Sequence, residues 1–501
     1  MSTSATPSAS TTPSVPPTPS APLPGIEANG INVIAEGERK GAPRSLFWPW
    51  FAANISVLGV SYGSFVLGFG ISFWQATFAV VVGTVFSFLL CGVIALGGKR
   101  ASAPTMTVSR AAFGVRGNAA PAAVSWILTV GWETALASTA TLATATVFRE
   151  LGWGGGTLTS VVALLVVAVL VVGAGVLGFD AIMRLQTLIT VVTGVLTVVY
   201  VLLVRDEVSW GAVSALPSGS TQAVLGALVL MMTGFGLGWV NAAGDYSRYL
   251  PRRASSAGVV GWTTFGGAAA PVVLVVFGLL LAGSDPDLSG AIALDPIGAL
   301  TTVLPVWFLV PFAVVAVLSL VGGAVLDVYS SGLALLSLGL RAPRWVAACI
   351  DGTLMVIGTI FVVFVADSFL PQFQGFLITL GVPIAAWAGV AIADLLLRRA
   401  DYSDADLFDP RGRYGSVSVP AVALLALGTL LGWGLVTNAA AGWLDWQGYL
   451  LGPVGLGGRE GPWAYANLGV LVALLVGFVG HLLLGRSRVR AQEAPAGAAS
   501  R

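Results

Sequence analysis

The chain has 501 residues, 56% hydrophobic and 9% charged, with a formal net charge of +1 and a mean hydropathy of +0.89. Its apolar residues come in blocks of about 20, enough to cross a bilayer core of roughly 30 Å, so the composition excludes a water-soluble globular protein. The blocks are continuous rather than alternating, which excludes a β-barrel, and the near-zero net charge carries no signal for a nucleic-acid partner. Cys91 and Cys349 lie in different apolar blocks. They offer neither a disulfide framework nor metal-ligand spacing and read as small buried hydrophobes.

Residues 1–38 open with a stretch rich in Ser, Thr, Pro and Ala. It lacks the basic start and apolar run of a signal peptide and is expected to be a disordered cytoplasmic tail. Arg39, Lys40 and Arg44 then precede Phe47, Trp48, Trp50 and Phe51. Basic residues followed by aromatics mark a membrane interface entered from the cytoplasm. Twelve spans are expected, at about 52–74, 77–97, 120–147, 157–178, 184–204, 222–243, 257–283, 302–338, 345–366, 371–396, 416–436 and 463–484. Pro305 and Pro311 should kink the eighth or delay its start to about Phe312. With a cytoplasmic N-terminus, 21 Lys and Arg fall on inside segments, and only Arg149, Arg205 and Arg459 fall outside. The positive-inside rule therefore places both termini in the cytoplasm of a multi-pass plasma-membrane protein. The transporter domain is expected over 39–490 and a second disordered tail over 491–501.

Two spans are unusual. The sixth runs LMMTGFGLGWVNAAGDYSRYLP from Leu230 to Pro251, with Gly234, Gly236 and Gly238 ahead of Trp239. Glycine costs a helix interior about 1 kcal/mol against alanine, and three together invite unwinding. Unwound backbone survives at membrane depth only where protein buries it or it lines a cavity. The first span is interrupted similarly by Gly59, Gly63, Gly68 and Gly70, with Ser56, Ser61 and Ser64 between them. A pair of Gly-broken spans five spans apart points to an inverted-repeat transporter with its site at mid-membrane. Close helix packing through glycine is the competing reading.

In the third span, Thr129, Trp132 and Leu136 share one face, and Trp132 can stack on a planar ligand or simply pack. Glu133 beside it is an intramembrane carboxylate, either functional or held by a neighbouring helix. The eighth span carries a stripe of Ser319, Gly323, Asp327, Ser330 and Ser331. Asp327 is either a proton carrier or the partner of a basic residue. His481 has no second ligand near it, so no metal is expected. No nucleophile motif, phosphate loop or metal cluster appears, which leaves an integral membrane enzyme without its machinery.

Five stretches carry a family likeness. They are GGKRASAPTMTVSRAAFGVRGNAAPA (Gly97 to Ala122), VGW (Val130 to Trp132), GFGLGWVNAAGDYSRYLP (Gly234 to Pro251), DVYSSGL (Asp327 to Leu333) and ADLLLRRADYSDADLFDPRGRYG (Ala393 to Gly415). Over roughly residues 38–490 the chain resembles the nucleobase:cation symporter-1 family, in its purine-cytosine permease branch. The resemblance implies an all-α polytopic membrane protein with a five-plus-five inverted-repeat core, as in the leucine transporter. Repeat one would span about 52–204 and repeat two about 222–396, with two extra helices within 416–484. It also implies alternating-access uptake of a heterocyclic base with a cation. Trp132 matches the family's third-span stacking tryptophan and Trp239 the sixth-span aromatic, while Ser61 lies near a first-span polar position that contacts ligand. Thr129 and Gly323 complete the expected substrate-binding set, and Glu133 and Asp327 are the expected ion-coupling pair. The chain departs from the family in the eighth span. Gly323, Ala324 and Asp327 stand where members commonly carry asparagines, and Gly322-Gly323 lacks hydroxyls used by sodium-coupled relatives. These departures favour a co-transported proton over sodium. They leave open a hydantoin or allantoin, a vitamin-like base or an amino acid as the solute.

Overall fold

The first apolar segment folds as two helices, α1 (Phe47–Asn54) and α2 (Leu58–Leu67), bent by 66° at Ile55–Val57. The protein is described here from a computed structural model covering residues 26–366, 370–438 and 442–494. The expectations for residues 1–25 and 495–501 lie outside the described residues. After the bent pair come α3 (Phe73–Ala101), α4 (Ala119–Glu150), α5 (Thr157–Leu177) and α6 (Phe179–Val204). The second group opens with α7 (Thr221–Gly234). Short turns at Gly236–Trp239, Val240–Ala242 and Ala243–Ser247 follow it, and then α8 (Ser256–Ser284). A short surface helix, α9 (Pro286–Leu294), leads to α10 (Leu309–Leu338), α11 (Arg344–Phe364) and α12 (Leu370–Leu397). The chain closes with α13 (Val419–Trp433), α14 (Leu468–Leu484) and α15 (Arg486–Glu493).

Among the described residues there is no strand, and every expected span falls on a helix or helix pair. Eight helices are long and apolar enough to cross a bilayer, or up to ten if each bent pair counts as one span. Of the remaining two, α4 is long enough, but its many Ala, Ser and Thr residues dilute its apolarity, and α13 has only 15 residues. α10 starts at Leu309, which puts Pro311 in its first turn, where no helical hydrogen bond is lost.

Each group of five begins with its broken helix. α1 starts beside the arginine-rich end of the molecule, hereafter the basic face, where Lys40 N donates to the Tyr249 carbonyl. α7 runs the opposite way and reaches that same face at Arg248. Within this frame α4 packs along α10, α3 along α8, and α12 against α13 and α14.

The glycines of the first span act differently from the expectation. The break lies at Ile55–Val57, upstream of all of them, and contains no glycine. Gly63 instead meets α8 backbone to backbone: a Cβ there would sit 2.1 Å from the Gly278 carbonyl carbon. Close helix packing therefore accounts for Gly63, while Gly70, at φ +67°, ends the segment beyond α2.

Within the described residues, part of each expected tail is folded. Ile26–Glu38 packs on the basic face, with Ile34 fully buried and its N–H donating to the Ser102 carbonyl. At the other end Gln492 Oε1 accepts from Arg398 at 2.6 Å, so 491–493 belong to the folded part as the end of α15. Ile31, Val33 and Ile34 pack the first piece on the core, and both pieces are tied down by polar partners far away in sequence.

Candidate functional site

The two helix breaks face each other. At the first, Asn54 Nδ2 donates to the Trp50 carbonyl at 2.7 Å, which turns its amide oxygen away from its own helix. Ser56 Oγ accepts from Leu58 N at 3.3 Å and from Ser319 Oγ of α10 at 3.2 Å, pinning the unwound turn to α10. At the second, α7 stops at Gly234 and Phe235 takes the non-helical angles φ −127°, ψ −107°. The freed Gly236 N–H is satisfied by Ser87 Oγ of α3 at 3.2 Å. Here the sequence expectation holds, since Gly234 and Gly236 flank the break. A side chain on Gly236 would collide with the Ser87–Phe88 backbone.

Between the breaks lies a cavity of about 50 Å³. Asn54, Ser56, Tyr62, Trp132, Phe235 and Trp239 are among its lining, and no charged side chain is. Ligand pockets usually hold roughly 300–1,000 Å³, so this one is drawn closed. Trp132 packs over Gly238, and the Phe373 ring of α12 meets it edge-on at 5.0 Å. Its indole Nε1 is buried without a partner. Trp239 rests edge-on against Trp50 at 5.7 Å, and Trp50 against Tyr246 at 5.4 Å.

The surroundings are asymmetric. On the far side Leu58 and Tyr62 also line a second cavity of about 510 Å³, which shares Phe65, Leu230, Ala293 and Gln374 with a third of about 790 Å³. Towards the basic face the route is packed solid by Trp50, Tyr246 and Tyr329, all buried, and Tyr246 Oη donates to the Leu326 carbonyl at 2.9 Å.

The structure sorts the residues singled out in the sequence. Trp132 and Trp239 come together on the central cavity. Ser61 does not: its hydroxyl donates to the Pro296 carbonyl, and its neighbour Tyr62 lines the cavity instead. Thr129 is likewise turned away, bonded to the Ser125 carbonyl of its own helix at 2.9 Å. Gly323 lies against Leu136, one layer behind the cavity wall. Glu133 and Asp327 are buried behind the wall rather than in it. Neither Asp327 oxygen has a hydrogen-bond partner, and Glu133 has only a loose approach from Ser331 of α10. No basic residue among the described ones pairs with Asp327, whereas Ser331 acts on Glu133 across the two helices, so the helix-bridging reading of Glu133 stands beside the functional one.

Several participants were missed. Asp351 of α11 is a third acid within electrostatic reach of Glu133. It accepts from Trp126 Nε1 at 2.8 Å and from Ser331 Oγ at 3.0 Å. Its place well inside an apolar span was the available signal. Asn54 sits just before an unwound turn that carries no glycine, so nothing local marked it. Gln186 of α6 is fully buried and donates to the Gly322 carbonyl at 2.7 Å.

Comparison with known proteins places this architecture. A family model described as permease for cytosine/purines, uracil, thiamine, allantoin matches residues 33–452. A Bacillus subtilis (strain 168) protein that carries the name of a purine-cytosine permease, YxlA, is 23% identical over 411 residues, covering 81% of this chain and 87% of that protein. Among solved structures, the nucleobase-cation-symport-1 transporter Mhp1, closed with bromovinylhydantoin bound, matches with a TM-score of 0.67 at 19% identity, over 93% of this chain and 99% of that one. Its inward-facing form matches with a TM-score of 0.61 at 19% identity, over 95% and 99%. At that identity the structural likeness speaks for the fold. With a family match across most of its length and the paired helix breaks in place, the chain belongs to the nucleobase-cation-symport-1 family of cytosine/purine permeases and is a membrane transporter, not an enzyme.

Proposed function

We propose that this transporter takes up a small, uncharged, planar nitrogenous heterocycle of the nucleobase and hydantoin class, by alternating access and together with a proton. One observation carries the substrate reading. The cavity between the two breaks presents two indoles and a few neutral polar groups, with no charge to neutralise an ionic solute. Aromatic faces stack on flat rings. The unpaired Trp132 Nε1 is a donor for a ring carbonyl or imine nitrogen, and the Asn54 amide oxygen is an acceptor for a ring N–H. The cytosine, purines, uracil and allantoin of the family's range and the hydantoin bound by Mhp1 support the same class, thiamine being the one cationic solute in that range.

For the cation, Gly322 and Gly323 supply no side-chain oxygen where α10 approaches the first break, and the Gly322 carbonyl is already engaged by Gln186. Sodium needs several oxygen ligands, whereas a proton needs one acceptor. Two unpaired carboxylates in a membrane interior are costly to keep ionised. In this reading Asp327, with Glu133 beside it, carries the co-transported proton. The basic face is cytoplasmic, from the concentration of Arg and Lys there.

The test is a thermal-shift panel on purified protein, followed by uptake into proteoliposomes under an imposed pH gradient. A ligand that binds only the folded state raises the melting temperature. Uncharged bases or hydantoins should stabilise the protein, while amino acids and cationic thiamine should not. Stabilisation confined to charged solutes would overturn the reading.

A further inference from the structure

The basic face is closed by one carboxylate. Glu27 lies ahead of the residues 33–452 that the family model matches. Its Oε1 accepts from Arg248 Nη2 at 2.8 Å, Tyr249 Oη at 2.7 Å and Tyr329 Oη at 3.1 Å. Its Oε2 accepts from the Phe179 N–H at 2.9 Å and lies 3.6 Å from Arg344 Nε. The side chains of both arginines are fully buried, and that of Glu27 is 9% exposed. The two guanidiniums lie over the same Tyr329 ring, at 5.9 and 5.4 Å from its centre. Gly178, at φ +96°, makes room, since a Cβ there would sit 2.6 Å from Glu27 Oε2.

The partners belong to different parts of the machine. Arg248 directly follows the second broken helix. Tyr329, Arg344 and Phe179 lie on α10, α11 and the start of α6, which are unbroken. Alternating access in folds of this type moves one set of helices against the other around a fixed site. Glu27 spans the seam between them. Without its charge, two buried guanidiniums would share the Tyr329 ring with no carboxylate among the described residues at ion-pair distance from either, Asp245 acting on Arg248 only from farther away.

We infer that Glu27 is a gating residue: its carboxylate holds the basic-face exit shut and must leave Arg248 and Arg344 before substrate can pass there. The inference rests on the alternating-access reading but not on which solute is carried. Burial alone would raise the Glu27 carboxyl, but Arg248 and then Arg344 bring it below its ordinary value. It thus stays charged in the closed state, as a bolt of this kind requires.

The test uses the full chain with Cys91 and Cys349 replaced by alanine and single reporter cysteines added. Ser330→Cys reports the closed route, since Ser330 is 3% exposed and lies beside Tyr246 beneath the Glu27 cluster. Ala293→Cys reports the far-face cavities. In detergent, without substrate, a soluble thiol reagent should modify Ser330→Cys slowly and Ala293→Cys quickly. Adding Glu27→Gln should speed the first by about tenfold or more, given the cost of breaking a buried ion pair, and slow the second. Glu27→Asp, which keeps the charge on a shorter arm, should fall between. Faster labelling at both positions would mean general loosening and would overturn the gating role, as would no change at either. If Ser330→Cys disturbs folding, amide hydrogen exchange of residues 245–250 in the Glu27→Gln protein decides instead. Faster exchange there with α9 unchanged supports the inference, and unchanged exchange overturns it. Because no solute is needed, a wrong substrate assignment leaves this result intact.

Discussion

Trp132→Ala removes the indole that lies against Gly238 and under Phe373 on the wall of the central cavity. Base–aromatic stacking is worth about 1–3 kcal/mol per base by alanine substitution. At 1.4 kcal/mol per factor of ten, substrate Kd should rise about 5- to 150-fold. The effect should be on binding rather than assembly, because the ring is only half-buried and its Nε1 bonds to nothing in the protein. Trp132→Phe separates the two contributions. A phenyl ring keeps most of the stacking face, so any further loss reports a hydrogen bond from Nε1 to the substrate. A neutral bond of that kind contributes about 0.5–1.5 kcal/mol, roughly 2- to 12-fold. Equilibrium binding of a labelled base to purified protein measures all three forms, with thermal melting of the unliganded proteins as the control for folding. An unchanged Kd in Trp132→Ala, with normal melting, would refute the placement of substrate in this cavity.

Uptake should rise as external pH falls, since a proton taken from outside is a co-substrate, and should not respond to replacing sodium with choline. A strict sodium requirement at constant pH would end the proton reading. Asp327→Asn or Glu133→Gln should bind substrate normally yet fail to accumulate it against a gradient, because the amide keeps the shape and cannot titrate; normal accumulation by both variants would clear both acids. Gly278→Ala should fail to fold or melt far lower, because its Cβ would lie 1.9 Å from the Val60 carbonyl oxygen with backbone on both sides; wild-type melting would contradict the packing described between α2 and α8. Impermeant cysteine labelling of intact cells should reach Asp287→Cys and miss Ser403→Cys, and the opposite pattern would reverse the orientation.

Local patterning determined much of this protein. Apolar blocks of bilayer length become helices wherever they occur, because a backbone in lipid has no other way to pair its N–H and C=O groups. The second break was legible because Gly234 and Gly236 weaken the helix at the place where it opens. Trp132 and Trp239 were legible through the motifs around them. The first break was not, since the glycines near it answer to α8 and the unwinding at Ile55–Val57 is held by Ser319, more than 260 residues away. Contacts between segments far apart in the chain likewise hid the exchange of Tyr62 for Ser61 on the cavity wall and the meeting of Asp351 with Glu133. Glu27 shows the divide most sharply. Its segment follows a Ser- and Pro-rich stretch and has little core of its own, so composition reads it as a tail. Only the folded chain brings two buried guanidiniums from opposite sides of a seam to one point, and a carboxylate is what makes their burial tolerable there.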